Sequence, residues 1–289
     1  MFDKKIDLHL HTMYSDGSFR PAELIELAKK RGVGVISITD HDITDGIEEA
    51  VSKGLENGIE VIPGIELSAE FENVPEGEIH ILGYFIDCRN KCFQQKLEFL
   101  RQRRFQRAKD IFYKLFELGV KIKEDSIFLE NNRHSIGRLH FAKLMVKEGF
   151  VRNIREAFDL YLSNGRPAYV PKLKLSAKEA IEVVQQSGGV PVLAHPYYGN
   201  CLDGKVIREL VDIGLAGLEV YYYKHPKNVI EELLMIAEKY DLLITGGSDC
   251  HGILIDGDYL LGKADVPSSI LEKLKKYKVK IDESKCFSK

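Results

Sequence analysis

The chain has 289 residues, 44% of them hydrophobic, and a formal net charge of -3 at pH 7, which suits one large globular domain or a domain carrying an insertion. With no apolar run of about 18 residues and a Met-Phe-Asp-Lys-Lys start in place of a leader, the chain is expected to be cytoplasmic, without membrane contact. Cysteines at 88, 92, 201, 250 and 286 are odd in number and lack zinc-type spacing, which argues against a disulfide framework. Cys88 and Cys92 read as small packing residues, since no second pair completes a metal site.

The first apolar run, Ile6–Leu10, holds His9 and His11 two residues apart, so on an extended strand both rings face one way. Helical periodicity follows at Pro21–Lys30, then an apolar run at Val33–Ile38, a helix at Ile43–Asn57 and runs at Ile59–Ile65 and Ile79–Ile86. Further on come a helix at Ala177–Gln186, a run at Val190–Ala194, a helix at Lys205–Ile213, a run at Leu215–Val220, a helix at Lys227–Tyr240 and a run at Leu242–Thr245. Strands and helices in alternation, with near-continuous apolar strands, predict an α/β fold with a parallel sheet. Seven strands favour a barrel over an open sheet.

The segment from residue 90 to 171 breaks this rhythm. Phe93, Leu97, Leu100, Ile111, Leu115 and Leu118 follow helical spacing, and further helical pieces lie at Ile136–Lys147 and Ile154–Leu162. Ser163–Lys172, with two prolines and a glycine, reads as the return linker. The expected organisation is an α/β host at 1–89 and 173–289 with a small inserted helical subdomain at 90–172. Between Lys91 and Lys172, 18 Lys plus Arg face 9 Asp plus Glu, whereas the remainder has 23 against 35. An acidic host suits bound cations, and a basic insertion suits an anionic substrate.

The strand ends carry the chemistry. Thr39-Asp40-His41 and Gly64-Ile65-Glu66 close the second and third runs, and Glu78-Ile79-His80 opens the fourth. His195-Pro196 follows the fifth run, and Gly246-Gly247 leads from the last run into Ser248-Asp249-Cys250-His251. The carboxyl ends of parallel barrel strands share one face, so His9, His11, Asp16, His41, Glu66, His80, His195, Asp249 and His251 can meet there. His80, which precedes its run, fits least well. Imidazoles with carboxylates suit Zn, Mn or Fe rather than Mg or Ca, and these donors exceed what one tetrahedral ion takes, so two or three divalent transition metal ions are expected.

These motifs, in this order, resemble those of the polymerase and histidinol phosphatase (PHP) superfamily of metal-dependent phosphoesterases. The helical insertion, Arg138, His140 and the return Gly165-Arg166-Pro167-Ala168-Tyr169-Val170-Pro171 look like one bacterial subgroup, which contains 3',5'-nucleotide bisphosphate phosphatases and 5'-to-3' RNA exonucleases. The resemblance implies a distorted (βα)7 TIM-like barrel with a trinuclear centre. One metal would take His9, His11, Glu66 and Asp249; a second, bridged by Glu66, would take His80 and His195; a third would take Asp16, His41 and His251. A hydroxide bridging two ions would attack phosphorus. His195 or Asp249 is the candidate proton source for the leaving group, and Asp40 is read as orienting a ligand histidine.

The second phosphate is expected on the insertion, at Ser135, Arg138, His140 and Arg166, near a helix start at Ile136–Gly137. Arg133, His134 and Lys172 are weaker candidates. Tyr221, Tyr222 and Tyr223 are read chiefly as packing, with base stacking as the alternative, and His225 likewise as structural. The function expected is phosphohydrolysis of nucleotides: removal of the 3'-phosphate of a 3',5'-bisphosphonucleotide, trimming of short RNA from its 5' end, or both. No obligate protein partner is evident. Histidinol-phosphate phosphatase is the enzymatic rival, and a non-catalytic metal- or RNA-binding module the rival from another class.

Overall fold

The computed structural model describes residues 4–72, 74, 78–128, 136–172, 174–199 and 201–286. The strands are β1 (Lys5–Leu10), β2 (Val33–Ile38), β3 (Glu60–Glu70), β4 (Glu78–Tyr84), β5 (Leu175–Ser176), β6 (Val190–Leu193), β7 (Gly217–Tyr222) and β8 (Leu243–Gly247). Helices α1 (Pro21–Lys30) and α2 (Ile47–Asn57) connect the first three strands, and α7 (Ala177–Gln186), α8 (Gly204–Asp212) and α9 (Lys227–Lys239) alternate with the later ones. Local chemistry sets the boundaries: Pro21 opens α1 while the Glu23 side chain accepts from Arg20 N, and α2 stops where Gly58 turns left-handed at φ 72°.

The sheet runs β1-β2-β3-β4-β6-β7-β8, with β5 paired to the end of β3. It nearly closes on itself, because Leu10 bridges Cys250 and His11 N donates to Cys250 O at 3.1 Å. The seven-stranded α/β barrel expected from the sequence is therefore present. One strand departs from the all-parallel expectation: β4 runs antiparallel to both β3 and β6. Residues 71–77, which join β3 to β4, are too few for the crossover of about a dozen residues that parallel pairing needs. Reversal places the amino end of β4 beside the carboxyl ends of its neighbours, with His80 opposite Ser68 on β3. That is why His80 precedes its apolar run and still reaches the same face as the other histidines.

Reversal also sends the chain out at the opposite face. The insertion returns through α3 (Lys91–Glu117), whose 27 residues span about 40 Å. Phe93, Leu97 and Leu100 of α3 pack into the main core of the barrel, whereas Ala108, Ile111 and Leu115 build a second core. There they meet α4 (Glu124–Phe128), α5 (Arg138–Lys147) and α6 (Ile154–Ala157), which runs on into a π-helical turn at Phe158–Leu162. The boundary expected at residue 90 thus stands ahead of a helix that both cores share. Leu118, assigned to the apolar face of that helix, is exposed at its end, and Cys92 is exposed as well.

A third cluster gathers Ile6, Val35, Ile62, Leu82 and Val192 from successive strands, and so fills the inside of the barrel. Leu274 of α10 (Ser269–Cys286) closes it. The sequence reading stops at β8 and does not include α10, whose many charges mask a short apolar stripe. No helix among the described residues is long and apolar enough to cross a membrane.

Candidate metal centre and substrate cleft

Glu66, buried within β3, is the hub of the site. Its Oε2 lies 3.4 Å from His9 Nε2 and 3.2 Å from both His11 Nε2 and His41 Nδ1. Its Oε1 lies 2.7 Å from His80 Nδ1 and 3.1 Å from His195 Nε2. The five imidazoles form a closed circuit around it, with neighbouring ring centroids 4.8 to 5.9 Å apart. Asp249 Oδ1 sits 3.4 Å from His9 Nε2 and 3.1 Å from His11 Nε2. On the far side of His11, Asp16 approaches His251 Nε2 at 3.2 Å and both His41 Nε2 and His11 Nδ1 at 3.7 Å. All nine donors singled out in the sequence are in one place.

The donors fit metal ions. Ligands held at about 2.1 Å around a tetrahedral ion stand about 3.4 Å apart, close to the separations seen here. His9 Nε2, His11 Nε2 and His41 Nδ1, which face Glu66, are buried with no hydrogen-bond partner among the described residues, an unfavourable state that a cation would relieve. Three sets converge tightly enough to hold an ion: His9, His11 and Glu66; His41, Glu66 and His80; and His11, Asp16, His41 and His251. His41 therefore stands between the second and third groups, rather than in the third alone.

Asp40 accepts from Thr12 N at 2.7 Å and from the Thr12 and Ser15 hydroxyls at 2.5 Å, and so pins the loop that carries Asp16. The Ser15 hydroxyl in turn stands 3.5 Å from His11 Nδ1, so Asp40 reaches a candidate ligand histidine through Ser15. The carboxylate that bonds candidate ligands directly is Glu219 on β7, which the sequence reading did not single out. Its Oε1 accepts from His9 Nδ1 at 2.9 Å, which leaves the Nε2 lone pair facing the centre. Its Oε2 accepts from His195 N at 2.8 Å, holding a backbone strained to φ 28°. Tyr222 is buried and donates to Asp249 Oδ2 at 3.0 Å, while Asp249 is itself left-handed at φ 52°. His225 is buried and bonded to Val220 O at 3.0 Å, in the structural role expected.

A cleft of about 230 Å³ opens beside the centre, between Asp16, His41 and His80 on the barrel and Arg104, Arg107, Arg138 and His140 on the insertion, with Lys172 and Lys174 on the return strand. Arg138 lies 5.6 Å from the Phe158 and Tyr169 rings, and His140 Nδ1 accepts from Gly137 N at 3.1 Å. Arg166 is exposed on the linker and does not line the cleft; Ser135, Arg133 and His134 lie outside the described residues. Arg104, Arg107 and Lys174 replace Arg166 in that role. Their signal was present in the basic run of α3, but periodicity alone could not say which arginines face inward.

The cations are crowded. Burial, reinforced by Arg104, pulls the Lys172 ammonium down to about 8, and burial with Arg138 nearby brings Arg107 to about 10. Asp42, next to His41, receives Arg104 and, at 3.5 Å, Lys172. Burial opposes its ionisation, yet these two cations hold it down at about 2. His80 shows the reverse balance: burial disfavours its charge, but Glu66 pushes it up to about 9.

This fold and centre define a class, the metal-dependent phosphoesterases, and comparison with known proteins narrows it. Residues 7–136 match the PHP domain. A 5'-3' exoribonuclease of Haemophilus influenzae is 34% identical over 252 residues, covering 86% of this chain and 90% of that protein. A 3',5'-nucleoside bisphosphate phosphatase of Chromobacterium violaceum is 31% identical over 250 residues, 85% of this chain and 87% of the relative. A crystal structure of a candidate metal-dependent phosphoesterase from Bifidobacterium adolescentis superimposes with a TM-score of 0.83 at 32% identity, covering 94% of this chain and 95% of that one. The chain belongs to the PHP-domain family and is a phosphoric ester hydrolase.

Proposed function

We propose that this hydrolase acts on nucleotides, removing the 3'-phosphate of 3',5'-bisphosphonucleotides and trimming short RNA from its 5' end. The observation that carries the reading is the cleft itself. A His/Asp/Glu centre forms one wall and five cationic residues form the other, so a substrate with two phosphates can engage both. The activities named for the Haemophilus and Chromobacterium relatives support the same substrate class.

The nine donors would hold two or three ions of Mn, Fe or Zn: His9, His11, Glu66 and Asp249 for one, Glu66, His80 and His195 for a second, and Asp16, His41 and His251 for a third. Such ions supply Lewis-acid polarisation of the phosphoryl oxygens and a water acidified toward neutral pH. The protein does the rest. Arg107, Arg138, His140 and Lys172 hold the second phosphate, and Glu219 and Tyr222 keep His9, His195 and Asp249 in register. His195 or Asp249 supplies the proton to the leaving oxygen; His195 Nε2 is engaged by Glu66 and the Asp249 oxygens by His9, His11 and Tyr222.

The test is a phosphate-release panel with Mn added, comparing 3',5'-bisphosphonucleotides, mononucleotides, short 5'-phosphorylated RNA and histidinol phosphate. Turnover of the bisphosphonucleotide or RNA well above the others is expected. Release from histidinol phosphate alone overturns the reading. His11→Ala, which removes a donor shared by two of the sets, is the inactive control.

A further inference from the structure

The cationic cleft occupies only part of the carboxyl-end face. Its barrel wall comes from the ends of β1 to β4: Asp16, His41, Ser68, Glu78 and His80. The sector over β6 and β7, on the other side of the centre, is furnished differently. There a train of aromatic rings leads outward from the centre. His195 lies 5.5 Å from Tyr222, Tyr222 lies 5.7 Å from Tyr198, and Tyr198 lies 5.2 Å from Tyr197. Tyr222 is 5% exposed, whereas Tyr198 and Tyr197, the outer members, are 51% and 40% exposed.

Exposed tyrosines on a mobile loop would carry little meaning, but these are anchored. Tyr198 N donates to His195 O at 3.0 Å and Cys201 N closes the turn on Pro196 O at 2.9 Å. At the far end of the Tyr198 side chain, Oη donates to Lys224 O at 3.1 Å, tying the β6–α8 turn to the β7–α9 turn. Tyr223, on the second of these turns, is 36% exposed and its amide donates to Gly247 O at 3.3 Å. The rings therefore keep a set position relative to His195.

We infer that Tyr197 and Tyr198 form a stacking platform for the nucleobase beyond the scissile phosphate, the first base of the RNA chain that keeps that phosphate. This deepens the nucleotide reading and rests on it. Water attacks the scissile phosphorus and the P–O3' bond breaks, so the leaving O3', with its proton, stays on the nucleoside whose 5'-phosphate sits against the cationic wall over β1 to β4. The remainder that keeps the scissile phosphate must extend away from that wall. The way out is over β6 and β7. Aromatic faces accept any base, so the platform would favour a chain without choosing its sequence. A bisphosphonucleotide releases inorganic phosphate there and presents no base, so the platform is what distinguishes RNA from the small substrate.

The experiment measures kcat/KM of the metal-loaded enzyme on a 5'-phosphorylated RNA pentamer and on a 3',5'-bisphosphonucleotide, for the wild type, Tyr197→Ala, Tyr198→Ala and Tyr197→Trp. Loss of one stacked base lowers affinity by about tenfold or more. The ratio of RNA to bisphosphonucleotide efficiency is expected to fall about tenfold in each alanine variant and to recover in Tyr197→Trp. Because Tyr198 also bridges two turns, Tyr197→Ala carries the decision if Tyr198→Ala fails to fold. Equal losses on both substrates, or an unchanged ratio, overturn the inference. So does a wild-type enzyme that dephosphorylates the bisphosphonucleotide and leaves RNA intact, although the proposed phosphatase activity then stands. Turnover of neither substrate sinks the nucleotide reading itself.

Discussion

Glu219 shows how much a single side chain can decide. It fixes the tautomer of His9 with one oxygen and clamps the strained backbone of His195 with the other. Glu219→Gln has one acceptor oxygen and cannot serve both, so metal affinity is expected to fall about 10- to 100-fold, measured by metal titration of the apoprotein, with the fold retained by circular dichroism. The nine donors were legible in the sequence because they recur at the ends of apolar runs. Glu219 was not, since a lone acid inside Leu-Glu-Val-Tyr-Tyr carries no mark of partners 210 and 24 residues away. Lys172 supports a second prediction. Its ammonium lies depressed at about 8, below the ordinary lysine range, so the cleft loses that charge as pH rises through 8 and keeps it below. KM for the bisphosphonucleotide should therefore rise severalfold, to about tenfold, between pH 7 and pH 9, as about nine-tenths of the ammonium is lost one unit above its pKa. Lys172→Arg should flatten that rise, and a profile identical to wild type would remove Lys172 from the binding wall.

Among the elements, β4 and β8 determine most of the geometry. The antiparallel course of β4 escaped a reading based on apolar runs, because a run of alternating or continuous hydrophobes is the same in either direction. Only the short β3–β4 connection hinted at it. β8 closes the barrel against β1 through Gly247, where an added Cβ would meet the His9 backbone, 2.5 Å from its nitrogen. Gly247→Ala should cost about 1–3 kcal/mol in denaturant unfolding. Displacement of His9 should also weaken metal binding, so an intact metal titre with unchanged stability would contradict the close packing of these strands. The missing helix, α10, was hidden for a different reason: its lysine-rich surface outweighs the few side chains, chiefly Leu274, that seal the barrel interior.

For the molecule as a whole, charge is divided between two cores. The donors are buried and crowded, and cations that bind only the folded state stabilise it by mass action. Stripping with chelator should lower the unfolding temperature by about 5 °C or more and abolish phosphate release, with both restored by Mn. Equal melting with and without chelator would argue against an occupied centre. The insertion was evident from its helical rhythm and its basic balance, but not the way it is mounted. α3 runs unbroken from the floor of the barrel to its rim, seated on the main core at Phe93, Leu97 and Leu100 and presenting Arg104 and Arg107 one to two turns later. A continuous helix of that kind acts as a caliper: its jaws, the arginines and the His/Asp/Glu centre, are set to one opening. On the proposed function, molecules whose two anionic groups are too near or too far apart would be turned away by their length alone, whatever base or sugar lies between.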